Sequence, residues 1–137
     1  MNLREPALSI LLLAGRVCLS GIFLFAGVRH VAHPAAMVAR LAAVGYPMPM
    51  PMAVVAALAL VLGGLSLMTG LFTRLGCLAL VLFLVPTTLT FHLPAALHGN
   101  VGQGIQALKN LALAGGLLAL WAAGPGRLSV DRLRRKA

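Results

Sequence analysis

The chain has 137 residues, 61% hydrophobic and only 9% charged, where a soluble domain carries roughly 45–50% and 25%. That balance excludes a water-soluble globule, and it is the reverse of what intrinsic disorder needs. Lys and Arg number 11 against 2 Asp and Glu, and the only acids, Glu5 and Asp131, lie in the tails, so paired-carboxylate catalysis, carboxylate proton relays and carboxylate-bound calcium are excluded for a lone chain.

Four apolar runs, about 8–30, 51–72, 75–93 and 104–123, each approach the roughly 20 residues that a spanning helix needs. Helices follow, because an open strand would leave backbone groups unpaired in lipid. The prediction is an all-α bundle of four transmembrane helices. It forms one membrane domain over residues 1–137, with a basic tail at 125–137.

Run 8–30 is too long for a signal peptide, is interrupted by Arg16 and is followed by no A-x-A site, so it reads as an anchor. At about 100° per residue, Arg16, Ser20, Phe23, Gly27 and His30 share one face, with Arg29 nearly opposite. Arg16 either snorkels to the headgroups or faces an internal polar site. Next, His30 and His33 form H-x-x-H, a spacing that can offer two imidazoles to a metal or haem. In the connection 31–50, which also carries Met37 and Arg40, the prolines Pro47, Pro49 and Pro51 predict an extended stretch, with Pro51 opening the second helix. Met48, Met50 and Met52 alternate with these prolines. Thioethers favour Cu(I), so this run with His30 and His33 is an alternative metal site.

In the second helix Ala56, Ala59, Gly63, Ser66 and Gly70 form a stripe of small residues, which lets helix backbones approach closely in lipid. Pro86 in the third helix frees the carbonyl of Leu82, with Thr87 and Thr88 placed to help re-satisfy the backbone. His92 and His98 flank Pro94 and read as loop caps. In the fourth helix Ala112, Gly115 and Gly116 repeat the small-residue pattern, while Lys109 and Asn110 sit in its first turns. Lys109 either snorkels outward or donates to a ligand oxygen. Cys18 and Cys77 are far apart in apolar runs and read as buried small hydrophobes.

Of the basic residues, Arg4, Arg127, Arg132, Arg134, Arg135 and Lys136 lie in the tails, and Arg74 marks the second connection. With four spans these fall on one side, which the positive-inside rule makes cytoplasmic. Connections 31–50 and 94–103 then face outward. The intramembrane ionisable groups are the functional candidates. His30, His92, Lys109 and Asn110 gather at the outward end, suited as donors to an oxygen-rich ligand such as a quinone. Arg16 is a separate inner anchor, roughly 21 Å from His30 along a straight helix. Imidazole is the side-chain type here that exchanges protons near neutral pH. No nucleophile–base pair, phosphate loop or dinucleotide fingerprint is present, so no catalytic residue is assigned and an enzyme activity stays open.

Several motifs stand in one order: R-V-C-L-S-G-I-F-L-F-A-G-V from Arg16, G-Y-P-M-P from Gly45, G-G-L-S-L-M-T-G-L-F-T-R from Gly63, T-x-x-F-H ending at His92, and L-K-N-L-A-L-A-G-G from Leu108. In this the chain resembles the DoxX family of small bacterial four-helix membrane proteins, from about Arg16 to Leu120. Two positions depart from the family: Leu60 and Val61 stand where members often carry an acid, and His30 where they often carry Lys. The resemblance implies a multi-pass protein of the bacterial inner membrane tied to redox physiology. A related subunit type belongs to thiosulfate:quinone oxidoreductase, and other members are linked to membrane oxidative-stress complexes. The expected role is a subunit or accessory of a membrane redox system, quinone-linked through the candidate residues. The alternatives are a non-catalytic scaffold or assembly factor, and a copper-binding or transport component. The expected partners are the bilayer and membrane or periplasmic redox proteins, with no nucleic acid and with oligomerisation left open.

Overall fold

The computed structural model describes residues 4–134, with side chains from Pro6 onward. The side chains of Arg4 and Glu5, and residues Arg135 and Lys136, lie outside the described residues. The elements in order are α1 (Arg4–Ala32), α2 (Pro34–Ala43), α3 (Pro49–Thr69), α4 (Thr73–Thr87), a π-helical turn (Thr88–His92), α5 (Leu93–Leu97), α6 (Val101–Ala123) and α7 (Val130–Arg134). Four stretches are long and apolar enough to cross a membrane: Pro6–Ala32, Pro49–Thr69, Thr73–Leu97 and Val101–Ala123. They match the four predicted runs and extend the third by several residues.

Helix α1 packs mainly on α3, α3 on α4, and α4 on α6. Leu60, Leu67, Leu80, Leu84, Leu117 and Phe23 form the core between them. In lipid such contacts are held by close packing rather than by exclusion of water. Gly63 shows how close: a Cβ there would lie 2.6 Å from Leu80 Cγ. Gly64 faces Leu24 of α1 in the same way, at 2.8 Å. The predicted stripe on α3 therefore packs, with Ala56, Gly63 and Gly70 buried. The stripe on α6 does not follow the same rule. Ala112 and Gly115 are exposed, Gly115 has nothing within 4 Å, and only Gly116 meets a neighbour, Leu19. Cys77 is buried as expected but Cys18 is exposed, because it falls on the outer face of α1.

Connection 31–50 is not an extended loop. It contains α2, opened by Pro34 in its first turn. Leu41 is buried and Met37 and Val38 half-buried, the apolar face of a short amphipathic helix. The helix is closed off two residues past its end by Gly45, whose φ of 70° lets its N–H reach Ala42 O while Tyr46 N–H reaches Leu41 O. Pro49, rather than Pro51, opens α3, so of the three prolines only Pro47 stays outside helix. A proline costs nothing in a first helical turn, where its missing N–H has no partner in any case.

Below Pro86 the third span loosens into the π turn. Thr87 and Thr88 donate to Phe83 O and Leu84 O, each at 2.7 Å, rather than to the freed Leu82 carbonyl. The turn feeds α5, with Pro94 in its first turn and His98 as its C-cap, so residues 94–97 continue the helix instead of starting a loop. Asn100 caps α6 by accepting from Gln103 N–H at 3.1 Å, which sets the start of α6 at Val101 rather than at 104.

Candidate functional site

The two ends of the bundle hold different polar groups. At the tail end the C-terminal segment folds back over α1, α3 and α4. Arg16 is 1% exposed and its Nη2 donates to Leu128 O at 2.5 Å, while its Nε and Nη1 are buried without a partner. Gly70 makes room for it, since a Cβ there would meet Nη1 at 1.9 Å. Asp131 seals the same region. Its carboxylate accepts from Phe72 N–H (2.8 Å), Thr73 N–H (3.1 Å) and the Thr73 hydroxyl (3.3 Å), which supplies the orphan donors of the first turn of α4. Its own N–H donates to Gly70 O at 3.0 Å. Arg16 is thus buried beneath the C-terminal segment rather than at the surface.

The predicted face of α1 runs inward from there. Ser20 and Phe23 are buried and Gly27 lies against Leu60 and Val61 of α3. Ser20 Oγ returns to Val17 O at 2.9 Å, so its hydroxyl is satisfied within the helix. Arg29 is exposed.

At the opposite end a cavity of about 210 Å³ is lined by His30 of α1, Arg40 of α2, His92 of the π turn, and Gln106, Lys109 and Asn110 of α6. Phe23, Leu60 and Phe83 form its apolar inner wall. His30, His92, Lys109 and Asn110 therefore share one cavity, and Arg16 is absent from its lining. His30 Nδ1 donates to Ala26 O at 2.8 Å, and His92 Nδ1 donates to Gln103 Oε1 at 2.6 Å. Each ring thus has one nitrogen fixed by the protein and keeps Nε2 for another partner. Asn110 is buried, and its Nδ2 donates to Thr88 Oγ1 at 2.9 Å, tying α6 to the π turn. One of its two amide N–H groups is thus spent on architecture. Lys109 and Arg40 are exposed at the cavity's edge. Met37 and Arg40 of α2 also border it, and sequence reasoning did not place them there. Their signal was the helical spacing of Met37, Arg40 and Leu41 after Pro34, masked by the proline-rich segment that follows.

The residues of the metal alternative lie largely at the surface. Met48 is 71% exposed in a left-handed conformation, Met50 is exposed, Met52 is half-buried, and His33 is exposed before α2. Among the described residues no group of three or more His, Cys, Asp or Glu stands close enough to hold a metal ion.

Four apolar spans around a packed leucine core, with a polar cavity at each end, define a multi-pass helical membrane protein. The DoxX family profile matches residues 11–93, and the chain belongs to that family. It is 38% identical over 77 residues to the inner membrane protein YqjF of Escherichia coli, a match spanning 54% of this chain and 55% of that protein. It is 31% identical over 125 residues to the inner membrane protein YphA of the same organism, covering 90% of this chain and 89% of the relative. No solved structure matches. The chain is a multi-pass inner-membrane protein.

Proposed function

We propose that the chain works as a single membrane domain that binds a small oxygen-rich ligand, a quinone headgroup by preference, in the cavity of His30, His92 and Lys109. It would serve a membrane redox system as a subunit or accessory. The supporting observation is the lining itself. Two imidazoles, a lysine and an arginine border one cavity, and no carboxylate borders it. Such a set donates to ligand oxygens and has no internal anion to satisfy it. The free Nε2 of each imidazole can accept a proton when neutral and donate one when charged, which suits a ligand whose oxygens gain and lose protons. The apolar wall of Phe23, Leu60 and Phe83 suits a ring. Positive-inside bias puts the tails and Arg74 in the cytoplasm and this cavity on the outer side. Mass spectrometry of the lipid-soluble molecules that co-purify with the chain tests this reading. A quinone retained by the wild type and lost from Lys109→Leu supports it, and equal content in the two defeats it.

A second reading, a non-catalytic scaffold, is favoured by α6. Ala112 and Gly115 present a smooth exposed strip that would admit a partner helix closely. Co-purification of a membrane protein that is lost on Gly115→Leu, without any bound small molecule, would support that reading over the first.

A further inference from the structure

The tail end holds a second and larger cavity, of about 970 Å³. It opens between the start of α1, the first turn of α4 and the C-terminal segment. Among the described residues Arg74, Arg127, Arg132 and Arg134 line it, with one carboxylate, Asp131. That carboxylate is already engaged by two backbone N–H groups and the Thr73 hydroxyl. Among the described residues the lining thus carries four arginines and one carboxylate. Two of the arginines are held by ring faces. Arg74 Cζ sits 5.6 Å from the Trp121 ring centre, and Arg134 Cζ 5.3 Å from that of Phe72. A guanidinium stacked this way keeps its N–H edge for oxygen acceptors. Much of the remaining wall is apolar: Leu8, Phe72 and Leu75 are 58%, 56% and 64% exposed, and Leu8 and Leu75 belong to membrane-spanning stretches.

We propose that this cavity seats the phosphate headgroup of an anionic phospholipid, with its acyl chains along Leu8, Leu12 and Leu75. A charged cradle joined to an apolar wall fits an amphiphile. A free phosphate would use the arginines and leave the wall unused. Basic pockets between spanning helices on the cytoplasmic side are where such headgroups bind. The inference is independent of the ligand in the other cavity, which lies at the opposite end of α1.

The test uses the full chain in nanodiscs of phosphatidylcholine mixed with diphosphatidylglycerol, followed by native mass spectrometry. The wild type should retain one anionic phospholipid. Arg74→Gln combined with Arg134→Gln should lower retention about 30-fold, the effect of two arginines near an anionic headgroup. Arg29→Gln, an exposed arginine at the other end, should leave retention unchanged. Undiminished lipid in the double variant, or equal loss in Arg29→Gln, overturns the proposal. Inorganic phosphate is the competing arm. If phosphate displaces the phospholipid at equal concentration, the site is for a soluble anion and the lipid assignment falls. Should the double variant fail to insert, Arg74→Gln alone should lower retention about fivefold, the effect of one arginine, and undiminished lipid there overturns the proposal; its side chain is exposed and its loss opens no core.

Discussion

Arg16 and Leu128 are 112 positions apart, yet the guanidinium Nη2 of one donates to the carbonyl oxygen of the other at 2.5 Å. This bond ties the first span to the C-terminal segment. It holds a buried cation beside the α3–α4 turn, where Gly70 leaves space that any side chain would fill. The charge of Asp131 acts on Arg16 across the same region. A buried charge that loses its compensation is far costlier than one that never had a partner removed.

Asp131→Ala should therefore loosen the tail. It removes three acceptor contacts from the first turn of α4 and leaves Arg16 less compensated. A loss of about 2 kcal/mol is expected for a half-exposed carboxylate. Thermal unfolding followed by circular dichroism, with trypsin cleavage after Arg127 as a second readout, measures it. Asp131→Asn, which keeps an acceptor oxygen, should lose less. Unchanged melting and unchanged cleavage in Asp131→Ala would show that the cap carries no stability.

Glycine substitutions separate packed from unpacked faces. Gly63→Val should cost about 1–3 kcal/mol, because its Cβ would overlap Leu80 and the core must shift. Gly115→Val, with nothing within 4 Å, should cost little in the isolated chain. Unfolding titrations of the two variants in one detergent compare them directly, and equal losses would contradict the α3–α4 packing.

Asn110→Leu should disturb the third span more than the cavity's charge. It leaves Thr88 Oγ1 without the amide donor that joins α6 to the π turn. Faster hydrogen exchange over Thr88–His92 is expected, with the exchange of α3 unchanged. No change in that turn would mean that the amide does not hold it.

Orientation can be read by single cysteines at positions 40, 74, 100 and 132, in a chain whose Cys18 and Cys77 are replaced. Positions 74 and 132 should label from the cytoplasm and 40 and 100 from outside. Labelling of positions 74 and 100 from the same side would break the four-span topology.

What was legible in the sequence follows from the range over which each feature is determined. The four spans and the inward face of α1, from Arg16 through Ser20 and Phe23 to Gly27, rest on local hydropathy and a helical period, and both survive in a single sequence. Helix α2 was hidden because Pro34 and the prolines from Pro47 onward read as breakers, although a proline at a helix start promotes it. Membership of Arg40 in the cavity of His30 and His92 was lost with that helix. The docking of the tail could not be read at all. Neither Arg16–Leu128 nor Asp131–Thr73 leaves a local pattern, and Asp131 looked like one more charge in a solvated tail. The strip on α6 resembled that on α3 in composition, and composition does not say which face meets another helix.

Whether His30, His92 and Lys109 surround a ligand, as proposed, is tested by a direct titration. A short-chain quinone would be added to the chain in nanodiscs, with binding followed against empty nanodiscs. The wild type should bind saturably, and Lys109→Leu should weaken binding about tenfold, near the 1.4 kcal/mol that one lost charge-assisted hydrogen bond represents. Identical partitioning into wild-type, Lys109→Leu and empty nanodiscs would contradict it.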